Sequence, residues 1–379
     1  MKIVSITPDI DSGGSAKSLF MLSRAIRAAG HELHIASIVR PSRTKRKVEE
    51  LRAAGVHVSF FDIPYLPLEL VACPIPFWTN AGRTIKRLGE YRRLASYVHT
   101  IRPDVVHYNS YTTLLCSLFL GRYAGVLHAR EVLIEPSRLM GGLKALIGAR
   151  IREAIGITPP VSRQVLRLFD LAVNTVYNWP LEPPRCVPMP ERDYLVYGVF
   201  AHVTPFKGHL QCVKAFASVA DELRKAKVRL RLFGGKVPIH EAYYQSVLAE
   251  IRDCGVEDII SFPGFSDNPE REMSRVNLVV CFDVTGKAWH RDVIEAMSLG
   301  RPVLAAGDEE CFVINGRTGM LTPKGDIEAF AHGMVTLADK TTLERLGQGA
   351  YEFAVENFDS EINGTRIVEC LERVAGLKA

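Results

Sequence analysis

Lys207, Glu295 and the pair Gly13-Gly14 are the residues of this chain whose types and settings best fit phosphate and polyol chemistry. Asp11-Ser12-Gly13-Gly14-Ser15-Ala16-Lys17 follows a short apolar run and leads into sequence with helical spacing. Two glycines at a helix start let a phosphate approach unpaired backbone N–H groups, with the helix dipole in its favour. An ordinary strand-to-helix turn would use the same glycines. Tyr197-Gly198-Val199-Phe200-Ala201-His202-Val203-Thr204-Pro205-Phe206-Lys207-Gly208 reads as a strand, an irregular loop and a helix beginning near Lys207. A lysine there is suited to neutralise a diphosphate, and a solvated surface charge is the plainer alternative. Glu295 stands on the first turns of a helix, where its carboxylate could accept hydrogen bonds from vicinal hydroxyls or simply favour the helix N-terminus.

Other chemistries are poorly served. The Gly13-Gly14 loop is neither GxGxxG nor a Walker A sequence, and Ala36-Ser37-Ile38 offers no acid to a ribose, which disfavours a nicotinamide enzyme. Asp9-Ile10-Asp11 spells DxD but precedes the phosphate loop and is discounted as a metal site. Eight cysteines are scattered without a CxxC pair or a cysteine-histidine cluster, so a reducing cytosol, no metal and no cofactor are expected. No secretory signal and no apolar run of bilayer-spanning length is read from the chain.

The 379 residues and 47% apolar content support two cores, and hence two domains. Short apolar runs alternate with helix-period segments, the pattern of parallel strands joined by crossover helices. Strands are expected at 3–7, 32–38, 56–61, 105–107, 125–128, 155–158 and 175–177, with helices at 15–29 and 139–153 among those between them. After a proline-rich stretch from Asn178 to Pro190, read as a hinge, strands are expected at 195–200, 229–233, 259–262, 278–282 and 302–305. Helices there fall near 210–223, 243–253, 293–299 and 327–337, and the last forty residues read as helical.

Charge divides along the same boundary. Residues 1–185 carry 25 Lys/Arg against 14 Asp/Glu, a net +11, and residues 186–379 carry 22 against 28, a net −6. Arg83, Lys86, Arg87, Arg92 and Arg93, with Lys144, Arg150 and Arg152, lie on segments with helical apolar spacing. Such faces attract an anionic membrane surface or a charged acceptor, or are simply solvated. Nucleic acid is not among the expected partners.

The ordered set of motifs resembles the retaining GT-B glycosyltransferases of the large glycosyltransferase family four (glycosyl transferases group 1). It runs from Gly13-Gly14 and Gly30-His31-Glu32 through Asp104-Val105-Val106-His107, Pro160-Val161-Ser162, Tyr177-Asn178, Lys207-Gly208, Phe233-Gly234 and Phe262-Pro263-Gly264. It closes with Arg291 to Met297, Gly300-Arg301-Pro302-Val303 and Asn315-Gly316-Arg317-Thr318-Gly319. The resemblance implies an α/β GT-B fold of two Rossmann-like, doubly wound domains facing a cleft. Residues 1–185 would form the acceptor side, 186–355 the nucleotide-sugar side and 356–379 a helical tail, with the C-terminal helices returning to the first domain. It implies metal-independent sugar transfer, in which Lys207 meets the donor diphosphate, Glu295 the ribose, Gly13-Gly14 the phosphate nearest the reacting sugar, and backbone near Phe265 the base.

Departures from the family pattern alter donor recognition. Lys287 stands eight residues before Glu295, where relatives carry the first acid of an E-x(7)-E pair, and His290 replaces a glycine. His202 stands where an arginine commonly assists the lysine, and Asp308-Glu309-Glu310-Cys311 replaces a glycine pair and a glutamate. A cationic Lys287 would suit an anionic sugar, and Arg291 joins the donor set. On the acceptor side, Leu127-His128-Ala129-Arg130-Glu131 lies where relatives often carry a histidine beside the reacting sugar. Spacing favours Arg130 for that place and chemistry favours His128. His107 and His31 read as structural.

The expected function is transfer of a sugar from a nucleotide-sugar donor to a glycan or lipid-linked acceptor in polysaccharide or glycoconjugate synthesis. The expected setting is the cytoplasm, peripheral at the inner membrane face. A catalytically silent GT-B binding component and a nucleotide-sugar epimerase are the alternatives.

Overall fold

The computed structural model describes residues 1–10, 13–39, 45–63, 87–132 and 150–376. The chain forms two compact units, Met1–Asn178 with Ser360–Ala379, and Trp179–Asp359.

Unit 1 is built on a seven-stranded parallel sheet in the order β3-β2-β1-β4-β5-β6-β7. Its strands are β1 (Lys2–Thr7), β2 (Glu32–Ser37), β3 (His57–Phe60), β4 (Val105–Tyr108), β5 (Gly125–Ala129), β6 (Ile151–Gly156) and β7 (Ala172–Thr175). The order reverses between β1 and β4, where Ser5 pairs in register with His107. Such a reversal opens a crevice at the carboxyl ends of the strands, where open α/β sheets bind ligands. Helix α1 (Gly13–Ala28) opens at the two glycines.

Two strands begin earlier than expected: β6 at Ile151, inside the helix expected over 139–153, and β7 at Ala172. Residues 139–149 of that expected helix lie outside the described residues. Arg152-Glu153 breaks the apolar run in a way that suggests a helix, but Glu153 is held by partners distant in sequence. Its carboxylate accepts hydrogen bonds from Asn174 Nδ2 at 3.1 Å and from Arg373 Nη2 at 2.9 Å. Arg373 belongs to the last helix, Ser360–Val374, which packs on α1 where Gly364 leaves no room for a Cβ beside Ala25.

Unit 2 has a six-stranded parallel sheet, β10-β9-β8-β11-β12-β13. Its strands are β8 (Leu195–Phe200), β9 (Val228–Phe233), β10 (Ile260–Gly264), β11 (Leu278–Cys281), β12 (Val303–Ala306) and β13 (Gly319–Thr322), and its order reverses between β8 and β11. The four-residue β13 has no counterpart among the expected strands.

The proline-rich stretch after Trp179 is strapped to unit 2. Arg185 and Val187 N–H donate to Ser298 and Leu299 carbonyls, at 2.8 and 3.3 Å. Arg301 is fully buried and spends its guanidinium on main-chain oxygens: Val187 and Pro188 at 2.9 Å, Ser274 at 3.0 Å and Met273 at 3.3 Å. Burial lowers its pKa to about 10, which leaves it protonated at neutral pH. A buried cation is tolerated here because carbonyl lone pairs replace water around it.

Candidate functional site

In unit 2 the residues of interest gather at the carboxyl edge of the sheet, at the β8/β11 reversal. A 3-10 turn, Pro205–Lys207, leads through Gly208 into the helix His209–Ser218. Gly208 has φ +60°, and a Cβ there would lie 2.0 Å from Phe282 O, so only glycine fits between the turn and the end of β11. The helix expected to start near Lys207 thus starts just after it. Val284 N–H donates to Phe206 O at 3.0 Å, tying together the loops that follow β8 and β11.

Asp283, 3% exposed, is the hub of these loops. Its Oδ2 lies 3.4 Å from Lys207 Nζ and 3.3 Å from His290 Nε2, while Oδ1 accepts from Thr285 N and Oγ1. Burial works to raise the Asp283 carboxyl, but His290, Lys207 and the Thr285 bonds hold it below its ordinary range. Burial and then Lys207 depress His290 to about 3, against the pull of Asp283. His290 is therefore neutral and donates Nε2–H to the carboxylate. Half-buried Lys287 adds positive charge beside it.

The helix Arg291–Ser298 follows, buried along Val293 to Ser298. Glu295, 6% exposed, accepts from Arg291 Nη2 at 3.2 Å, one helical turn away, and Arg291 also donates to Trp179 O at 3.3 Å. Asp292 is pushed up to about 6, chiefly by burial, with Lys207 opposing and Glu295 reinforcing. His202 and Phe265 flank Gly235, a Cβ on which would meet them at 3.2 and 3.5 Å. Phe265 is 66% exposed, a large aromatic face open to a planar ligand. Asp308 Oδ1 accepts from Lys324 N at 3.2 Å, and Cys311 is buried.

Unit 1 contributes a buried polar chain at the carboxyl ends of β1, β4 and β5. Ser5 Oγ lies 2.8 Å from His107 Nδ1, and His107 Nε2 lies 3.1 Å from His128 Nδ1. Arg130 Nη2 reaches the same Nδ1 at 3.4 Å, its Nε donates to Asn109 Oδ1 at 2.6 Å, and its Nη1 donates to Asn178 Oδ1 at 2.9 Å. Burial, then Arg130, lowers His107 to about 3, and burial, Arg130 and His107 together drive His128 well below the ordinary histidine value. Both rings are neutral. Because Arg130 can only donate, His128 Nδ1 is an acceptor, and His107 donates Nε2–H to it. The His128 proton therefore sits on Nε2, which is buried and has no hydrogen-bond partner among the described residues. Ser110, next to Asn109, has φ 151°, a backbone region that glycine occupies far more readily.

Gly13 and Gly14 form the first residues of α1, so the helix opens two residues before the expected start at Ser15 and takes in the glycine pair, and Gly14 is exposed. Asp11 of the discounted DxD lies outside the described residues, as do Arg83, Lys86 and Lys144 of the basic segments. Arg87 pairs with Asp62, and Arg93 with Glu90. Sequence reasoning missed Asp283, Asp292 and Asn109. A carboxylate at the end of an apolar strand, as in Phe282-Asp283, was the available signal.

Two doubly wound parallel units, each with its polar residues at the carboxyl edge of the sheet reversal, define the GT-B plan. The family described as Glycosyl transferases group 1 matches residues 191–340, and Glycosyltransferase Family 4 matches residues 12–134. Each of the two units thus carries a match to a glycosyltransferase family. It is 24% identical over 182 residues to the poly(glycerol-phosphate) alpha-glucosyltransferase of Bacillus subtilis, a match covering 46% of this chain and 25% of that protein. The chain thus spans about a quarter of the length of the curated relative it matches. Among solved structures it resembles HepE of Anabaena in complex with UDP and glucose, at 18% identity and TM-score 0.77, over 98% of this chain and 100% of the other. The sucrose-phosphate synthase of Thermosynechococcus elongatus is similar at 17% identity and TM-score 0.77, over 100% of both chains. At these identities the likeness is one of fold. Among the described residues, no helix is long and apolar enough to cross a membrane.

Proposed function

We propose that this chain transfers a sugar from a nucleotide-sugar donor to a glycan or lipid-linked acceptor, with retention at the anomeric carbon and without a metal at the reacting phosphate. The observation that carries the reading is Lys207, fixed in a turn that only Gly208 permits and joined to Asp283 and His290 at the β8/β11 reversal, just ahead of the helix bearing Glu295. In unit 2, Lys207 neutralises the diphosphate as it leaves. Glu295, oriented by Arg291, accepts from the ribose hydroxyls, and His202 with Phe265 borders the base and phosphate. The solved HepE structures with UDP and with UDP-glucose support a uridine nucleotide as the first donor to test.

In unit 1, Arg130 holds the tautomer and ring of His128 in place, and the buried Nε2–H donates to a sugar oxygen once the side chains covering it move aside. On this reading His128 touches substrate, and Arg130 positions it. Gly13 and Gly14 offer backbone N–H groups to the phosphate nearest the reacting sugar. Exposed Arg92 and Arg152 support an acceptor carried at an anionic membrane face on the cytoplasmic side.

The test is a thermal-shift series with UDP, GDP, ADP and their sugars, followed by transfer assays with the stabilising donor and NMR of the product anomer. Stabilisation by one nucleotide, lost in Lys207→Ala, is the expected result. A silent binding component is the second reading, favoured by Lys287 in place of the family's acid. Nucleotide binding with neither transfer nor donor hydrolysis across the panel would select it.

A further inference from the structure

A second cluster of ligating side chains lies at the opposite, amino end of the unit 1 sheet, independent of the sugar-transfer reading. Glu32 is the first residue of β2, His34 stands two residues on and so on the same sheet face, and His57 opens β3 in register with His34. The three offer ligand atoms that all lie within 4.8 Å of one another. We propose that Glu32, His34 and His57 form a site for a divalent transition-metal ion of the zinc type, bridging the edge pair β2–β3.

Two imidazoles with one carboxylate are a ligand set of zinc chemistry, with the fourth place left to water. Glu32 Oε1 is already 2.7 Å from His34 Nε2, and the two imidazole rings stack with centroids 4.5 Å apart and planes 17° from parallel. In a tetrahedral zinc site, ligand atoms sit about 3.3 Å apart. Binding therefore needs inward movement of about an ångström. Glu32 and His57 can supply it, because the Glu32 side chain is 41% exposed and His57 is exposed. His34 is the fixed member, 9% exposed. Its Nδ1 lies 3.3 Å from Tyr97 Oη, whose hydroxyl also bonds Ser59. With Nδ1–H donated to Tyr97, Nε2 turns its lone pair to the ion, the outer-shell arrangement that orients metal-bound histidines.

A cleft of about 500 Å³ lined by His34, Arg52, His57 and Tyr97 gives an entry path. Arg52, at the same cleft, donates from Nη2 to Val58 O at 3.5 Å.

The test uses the full chain stripped with chelator and titrated with Co2+. The expected result is the visible band of four-coordinate cobalt, saturating at one equivalent per chain and erased by Zn2+. His57→Ala and Glu32→Gln should each weaken uptake at least tenfold while leaving the circular dichroism unchanged. Zn2+ should raise the melting temperature of the unsubstituted chain but not of His57→Ala. Absence of the band, or equal uptake by the unsubstituted chain and both variants, would overturn the site and assign the metal to scattered histidines and cysteines.

Discussion

Asp283 Oδ2 lies 3.4 Å from Lys207 Nζ, so the lysine proposed for the diphosphate already has an anionic partner that fixes where its charge sits. Preorganisation of this kind makes an electrostatic contact effective at the moment of reaction. Lys207→Ala should therefore lower kcat/KM by about 100- to 1,000-fold. Asp283→Asn keeps the shape but removes the charge that holds Lys207 and His290. Its expected loss is smaller, about tenfold, and falls mainly on kcat. Steady-state kinetics on both variants check this, and equal kcat/KM in Lys207→Ala would remove the lysine from the mechanism.

Gly208→Ala should be more damaging than its one methyl suggests. The φ of +60° disfavours a side chain, and the new Cβ would press on Phe282 O at 2.0 Å. The turn or the end of β11 must move, at a stability cost of at least about 2 kcal/mol. Urea denaturation should show that loss together with weakened nucleotide binding. A variant of native stability and affinity would refute the close fit.

These two sites also mark what the sequence made legible. Lys207, Gly208 and Glu295 stood out because each belongs to a local pattern, a strand, a turn and a helix start within a dozen residues. Asp283 did not, since a carboxylate after an apolar strand is unremarkable until the fold brings it to a lysine 76 residues earlier. The same limit moved β6: Arg152-Glu153 reads as a helix face until Arg373, 220 residues on from Glu153, pairs with it in a strand. The Glu32–His34–His57 cluster was hidden for a related reason, because only the β2–β3 register sets the two histidines side by side. Parallel topology was readable from alternation; pairings that cross it are tertiary facts.

Buried histidines set the acid response. His107 and His290 are depressed to about 3 and His209 to about 4, each chiefly by burial. Below the ordinary value near 6.5, the unfolded chain takes up protons that these rings refuse. Their stabilisation is complete above pH 6.5 and is lost progressively as pH falls toward the folded values. Asp292 works the other way: raised to about 6, its contribution is present below its ordinary value and lost as pH rises through 6. One acid does not offset several imidazoles, each worth on the order of 2 kcal/mol between pH 7 and pH 5. The urea midpoint should fall over that interval, and His209→Phe should flatten the fall for unit 2. A midpoint independent of pH would contradict the burial of these rings.

Arg301 should be irreplaceable by an apolar residue of similar length. Arg301→Met removes a cation but leaves the carbonyls of Val187, Pro188, Met273 and Ser274 without their donor, buried together. Unsatisfied acceptors of this kind cost roughly 1–3 kcal/mol apiece before relaxation, so a loss of about 3 kcal/mol or more is expected. Because the guanidinium also pins the strap from 185 to 190, limited proteolysis should open that segment in the variant. Native resistance there would show that the Arg185 and Val187 backbone bonds suffice.

Lys287 would separate the donor's nucleotide from its sugar. In the proposed mechanism Glu295 and Lys207 act on ribose and diphosphate, whereas Lys287 stands where the family resemblance implies an acid beside the transferred sugar. A cation there, close enough to depress His290, favours a sugar bearing a carboxylate over a neutral hexose. Lys287→Glu should then reverse the order, reducing kcat/KM for a uronic acid donor by tenfold or more and raising it for the neutral donor of the same nucleotide. Nucleotide affinity, read separately with UDP alone, should change less than threefold, since the substitution lies on the sugar side. If both donors lose activity equally and UDP binding falls with them, Lys287 holds the diphosphate or the loop rather than choosing the sugar.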